Sequence, residues 1–188
     1  MRVKIKIKDA LLITISVILL WVSYLFIKDY EFHIENIGGH LSVTKTNLAD
    51  KRYEKEAIDA LYSHDYEKAL ELFKKQLKSD PQYPAGVYHN IGMTYVLMNK
   101  YNDAIEYLNK SIEIDKDYNA TYYYLAEAYY YLNKMTKAKE NYEKTVTLKD
   151  RAGNTSIIKK SYEKLGYIEN ISGNTQKAQE YFQKADKY

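Results

Sequence analysis

Apolar residues follow three different patterns along the chain. Ala10–Ile27, ALLITISVILLWVSYLFI, contains no charge at all. A helix of this length spans about 27 Å, close to the roughly 30 Å hydrocarbon layer of a bilayer, and it is apolar on every side. Beyond it, Tyr30, Phe32 and Ile34 alternate with polar residues, and Gly38-Gly39 precedes Leu41 and Val43. A period of two predicts a small hairpin over residues 28–49, and an irregular stalk accounts for the same letters. From about Asp50 to Tyr188 apolar residues recur every three or four positions, broken at pairs such as Asn99-Lys100 and Asn133-Lys134. That pattern predicts amphipathic helices joined by short turns.

The helical part repeats itself. The 34 residues from Ala85 read AGVYHNIGMTYVLMNKYNDAIEYLNKSIEIDKDY. Tyr88, Ile91, Gly92 and Tyr95 mark its first half; Tyr101, Ala104, Leu108 and Ser111 mark its second. The next unit, from Asn119, carries Tyr122, Leu125, Ala126, Tyr129, Ala138, Tyr142 and Thr145 at matching places. A unit near Asp50 has Tyr53, Ala57, Ala60, Tyr66, Ala69, Phe73 and Pro81, and one near Lys159 has Tyr162, Leu165, Gly166, Ala178, Phe182 and Ala185. In this register Ala60 and Glu169 stand at position 11, where the other two units have tyrosine. Units are therefore expected at 50–84, 85–118, 119–152 and 159–188. Six extra residues between Ala138 and Ala178 fall around Lys149–Ser156; they read as a longer loop with an early start to the next helix.

These residues and spacings resemble the tetratricopeptide-repeat (TPR) family over residues 50–188. The resemblance implies an all-α solenoid of about four helix-turn-helix units. Small residues at Ala57, Ala69, Gly92, Ala104, Ala126, Ala138, Gly166 and Ala178 would let helices approach closely, and stacked neighbours would bury what one unit cannot. It also implies a concave groove lined by positions 2, 5, 9, 12 and 13 of each first helix. The candidate partner-binding residues are then His89, Met93, Tyr123, Glu127, Tyr130, Tyr131 and Tyr167. Ala120 and Tyr124 stand where the chaperone-tail-binding members need basic residues.

Charge locates the ends. Arg2, Lys4, Lys6 and Lys8 precede the apolar run, whereas Asp29, Glu31 and Glu35 follow it. The bias of basic residues toward the cytoplasm predicts a single-pass cell-membrane protein, with a cytoplasmic tail at 1–9, a membrane helix at 10–27 and the repeats outside. A cleaved signal peptide is the alternative, though the run exceeds the usual length and lacks a nearby small-x-small site. The +3 net charge comes from those first nine residues. With the remainder formally neutral, nucleic-acid binding lacks electrostatic support.

Catalytic and metal signatures are missing from the sequence. There is no cysteine, phosphate loop, nucleophile elbow or HExxH. His33 and His40 could approach each other across the hairpin, but a metal needs further ligands at defined geometry, and surface histidines are the expectation. The expectation is a non-enzymatic, cofactor-free scaffold or adaptor in bacterial envelope assembly or secretion, holding a protein or peptide. The alternatives are an extracytoplasmic client-binding chaperone and a peptide sensor. The 22 tyrosines are either groove contacts or a reflection of composition and packing.

Overall fold

The computed structural model describes Ile18, the backbone of 30–37 and 40–47, and residues 48–79, 81–148 and 155–188. The expected tail and membrane helix, Ile18 apart, lie outside these residues, as does 149–154. Among the described residues no helix is long and apolar enough to cross a membrane.

Strands β1 (Tyr30–Ile37) and β2 (His40–Asn47) form an antiparallel hairpin. Its register sets His33 opposite Thr44 and His40 opposite Ile37, so the two histidines do not face each other as a cross-strand pair. The hairpin leads into α1 (Leu48–Tyr62) and α2 (Tyr66–Lys78). Three further pairs follow: α3 (Pro84–Leu97) with α4 (Tyr101–Ile114), α5 (Asn119–Tyr131) with α6 (Met135–Thr147), and α7 (Thr155–Ile171) with α8 (Thr175–Ala185).

Every pair closes through the same turn. His64, Asn99 and Asn133 adopt φ of 59°, 59° and 57°, and Gly173 adopts 81°. In each case the following N–H reaches back to position 11: Asp65 to Ala60, Lys100 to Tyr95, Lys134 to Tyr129 and Asn174 to Glu169, each at 2.9 Å. This is the left-handed helix stop that satisfies the last carbonyls of the first helix. It returns the chain antiparallel within a few residues. Asp65 then caps α2, accepting from Lys68 N at 3.2 Å, and Pro84 opens α3.

Small residues set the spacing between the helices. The eight signature alanines and glycines are all buried, and a Cβ on Gly92 would lie 2.5 Å from Leu108 Cγ. Phe73, Ile91, Leu108, Leu125, Tyr142 and Leu165 fill the space left between backbones. Three overlapping apolar clusters make the core continuous. Tyr95 joins the first to the second, and Tyr124 and Tyr129 join the second to the third. The fourth unit starts early: α7 begins at Thr155, and Ile157 and Ile158 of this added turn are buried against the third unit. The outward side of α8 is polar, with Gln179, Glu180, Gln183 and Asp186 exposed.

Candidate binding groove

The first helices of the four units, α1, α3, α5 and α7, carry a row of concavities. One, of about 430 Å³, lies between α1 and α3 and is lined by Glu54, Ile58, Gln76, Gly86 and Asn90 among others. The next, about 450 Å³, contains Ile58, Leu61, Tyr62, Asn90, Met93, Leu97 and Tyr124. A third, about 440 Å³, takes Leu97, Asn99, Tyr124, Glu127, Tyr131 and Lys160. Ile58 and Asn90 belong to the first two, and Leu97 and Tyr124 to the last two. The three are successive sections of one groove. A separate concavity at Gly173, Lys177 and Glu180 is open to solvent on the α7–α8 turn and lacks an apolar wall.

One helical stripe supplies the floor. On α3 it is Gly86, Asn90, Met93 and Leu97; on α5 it continues as Tyr124, Glu127 and Tyr131. These are positions 2, 6, 9 and 13, steps of four and three that return to one side of a helix. The final position gives a rail of exposed apolar side chains, one per unit: Tyr62 (83% exposed), Leu97 (44%), Tyr131 (54%) and Ile171 (68%). Each belongs to the last turn before the left-handed stop and keeps much of its side chain in solvent.

The sequence-predicted residues divide between this stripe and the seams beside it. Met93 lines the middle of the groove. Tyr131 lies on the rail, its ring stacked on Tyr101 at 5.1 Å between centroids. Glu127 lines the third section but is held from behind: Tyr142 donates its hydroxyl to Oε1, and Lys164 Nζ lies 3.8 Å from the same oxygen. Tyr130 is half-buried beneath that lysine, 4.1 Å from its ring centroid. Tyr167 is exposed, edge-on to Phe182, and outside the three sections.

Two predictions need correction. His89 is buried (4% exposed) in the seam between α3 and α5. Its Nδ1 lies 3.0 Å from Thr121 Oγ1, with the rings of Tyr118 and Tyr124 4.7 and 5.5 Å away. Burial holds its pKa down at about 4, so the ring is a neutral packing element rather than a contact for a partner. Tyr123 touches the third section but is almost wholly buried against Tyr124 and Tyr142, and burial pushes its hydroxyl pKa far up. Both stand at position 5, which in these two central units is rotated from the floor into the seam with the next unit, whereas Glu54, position 5 of the first unit, stays in the groove. Two floor residues absent from the prediction, Asn90 and Tyr124, stand at position 6. A four-three-four spacing from position 2 to position 13 was the available signal for them.

The tetratricopeptide-repeat family models match residues 53–117, 120–148 and 159–188, together covering more than half of the chain. Heat shock protein STI1 of Saccharomyces cerevisiae is 28% identical over 102 residues, 54% of this chain and 17% of that protein. The chain thus spans about a sixth of that relative. A crystal structure of MamA protein superposes with a TM-score of 0.61 at 26% identity, covering 73% of this chain and 71% of MamA. The second TPR domain of human RPAP3, solved in complex with an HSP70 peptide, gives 0.55 at 20% identity, covering 65% of this chain and 96% of that domain.

Proposed function

We propose, since the chain belongs to the tetratricopeptide-repeat family, that it is a protein-interaction scaffold whose first-helix groove holds an extended polypeptide segment. The continuity of the groove carries this reading. Three sections share their boundary residues, and an apolar rail runs beside them through all four units. A strip so long and narrow suits a chain laid across the helices better than a compact metabolite. Side chains such as Leu97, Met93 and Tyr131 supply contact area, and Tyr adds a polar tip. The peptide held by the RPAP3 domain is a precedent for the ligand class on the same fold. The acidic tail that such domains grip is disfavoured here by Ala120 and Tyr124.

The anchoring part of the proposal rests on the uncharged run Ala10–Ile27 and its basic flank. We propose that this segment fixes the scaffold in the cell membrane and presents the repeats on the extracytoplasmic side, in envelope assembly or secretion. Site-specific photo-crosslinking in membranes tests both the groove and its ligand. A crosslinker at Leu97 or Tyr131 is expected to capture a polypeptide, and one at Gln179 on the polar outer side of α8 to capture none. Equal labelling at all three positions refutes the groove.

A further inference from the structure

We infer that the α1 end of the groove is a receptor for a basic side chain of the bound polypeptide; this rests on the groove reading above. The argument starts from Gln76. It stands at position 27, which is Ser111, Thr145 and Ala185 in the other three units. A long amide therefore occupies a place that elsewhere takes a small side chain. Gln76 is 96% buried, since only 4% of it is exposed, yet its Oε1 has no hydrogen-bond partner, and the side chain lines the 430 Å³ section between α1 and α3. A buried amide oxygen left unpaired costs about 1–3 kcal/mol, which a donor entering the cavity relieves.

The surroundings define which donor. Glu54 lines the same section, with Asp50 and Lys51 beside it among the described residues. Asp50 is buried and accepts from Gln82 N through Oδ2 at 3.4 Å. The exposed Glu54 carboxylate beside the orphaned Gln76 oxygen favours a cation carrying several N–H donors. An arginine guanidinium or a lysine ammonium meets that description. Ile58 and Asn90 connect this section directly to the apolar middle of the groove. The ligand is then a segment with apolar residues over Met93 and Leu97 and a basic residue at a fixed offset, lodged toward α1. This is the opposite charge preference from a groove that grips an acidic tail.

Panning a random displayed-peptide library against the full chain in detergent tests it. Enriched sequences are expected to combine apolar positions with Lys or Arg at one offset. Replacing that Arg by citrulline should weaken binding about three- to tenfold, the range for a partly desolvated charge-assisted contact. Glu54→Gln, at an exposed site, and Gln76→Leu should each erase the basic preference while the apolar one persists. Apolar consensus without a basic position, or a basic preference undiminished in both variants, overturns the inference and leaves the groove intact. Acidic consensus, the result if Gln76 presents its NH2 to the cavity, overturns it too. No enriched peptide, or enrichment indifferent to Leu97→Ser, removes the groove and this inference together.

Discussion

Lys139 Nζ lies 2.6 Å from Glu169 Oε1, joining the second helix of the third unit to the first helix of the fourth. Glu169 occupies position 11, which is Tyr95 and Tyr129 in the two central units, and is 1% exposed. Lys177 Nζ approaches the same oxygen at 3.2 Å, and Asn174 donates to Oε2 at 2.7 Å. A carboxylate in place of a ring is tolerated because three donors surround it.

The cluster makes a pH-dependent contribution. The lysine contacts and Asn174, led by Lys139, outweigh burial and hold the Glu169 carboxyl down from its usual 4.5 to about 2. The unfolded chain takes up this proton more readily than the folded one. The resulting stability is complete above about pH 4.5 and is lost as pH falls toward 2. Urea midpoints across that window should fall less steeply in Glu169→Gln than in the parent chain. Lys139→Met should cost less than the roughly 3–5 kcal/mol of an orphaned buried charge, because Lys177 remains. A larger loss would mean that Lys177 does not share the load.

Close approach of helices gives a second test, with two sites of unequal severity. A Cβ at Gly92 meets Leu108 at 2.5 Å for Cγ, 2.8 Å for Cδ2 and 3.2 Å for its backbone N, and Leu108 is fully buried. The three atoms nearest a Cβ at Gly166 all belong to the Phe182 ring, at 2.5, 2.7 and 2.8 Å, and that ring is partly exposed. Gly92→Ala should therefore destabilise by about 1–3 kcal/mol through overpacking, and Gly166→Ala by less. Equal melting temperatures for the two variants would show that the α3–α4 spacing is not the limiting one.

The turns permit a separation of backbone strain from contact. A Cβ at Gly173 meets nothing within 4 Å, yet its φ is +81°. Gly173→Ala should still cost about 1 kcal/mol, the penalty of a left-handed conformation for a residue with a Cβ. Gly173→Asn should cost less, since Asn99 and Asn133 hold equivalent turns. Asn99→Gly should be neutral or slightly stabilising. If Gly173→Ala leaves the denaturation midpoint unmoved, the turn has relaxed out of that region.

The architecture of 48–188 was legible because it depends on size at fixed intervals. An alanine or glycine recurring where two backbones touch admits few replacements, so Ala69, Ala104, Ala138 and Ala178 announce their own spacing. The groove was less legible. Position 5 and position 6 are neighbours on one helix, and a single residue shift turns a side chain by about 100°. Periodicity within a helix does not show which side faces solvent and which faces the following unit. His89 and Tyr123 fell on the wrong side of that boundary, and Asn90 and Tyr124 on the right one. The tyrosines divide similarly: Tyr142 is fully buried beneath Glu127, whereas Tyr131 is exposed. Composition has no means of separating them. Gln76 was missed for another reason: the repeat register marks position 27 as close-packed, but a glutamine on a mostly polar helix does not show that its amide oxygen is left unpaired.

Position 5 also supplies the last prediction. His89, Thr121 and Ser111 form a buried polar chain across the second and third units, with His89 Nδ1 3.0 Å and Ser111 Oγ 3.2 Å from Thr121 Oγ1. Among the described residues, the imidazole meets Thr121 and the Tyr118 and Tyr124 rings, none of them a carboxylate. Protonation would therefore leave a buried cation without a counter-charge. Its pKa is about 4 when folded, against 6.5 when free. The unfolded chain binds a proton first as pH falls, so the stability from neutral His89 is whole above 6.5 and declines toward 4. That window lies mostly above the one governed by Glu169, so the two sites can be dissected by substitution. His89→Gln should flatten the denaturation midpoint between pH 6.5 and 4.5 while leaving the steeper fall below 4.5. Histidine ring resonances recorded across the same range should include one that does not move until near pH 4. A His89 resonance titrating near 6.5 would place the ring in water and return it to the groove.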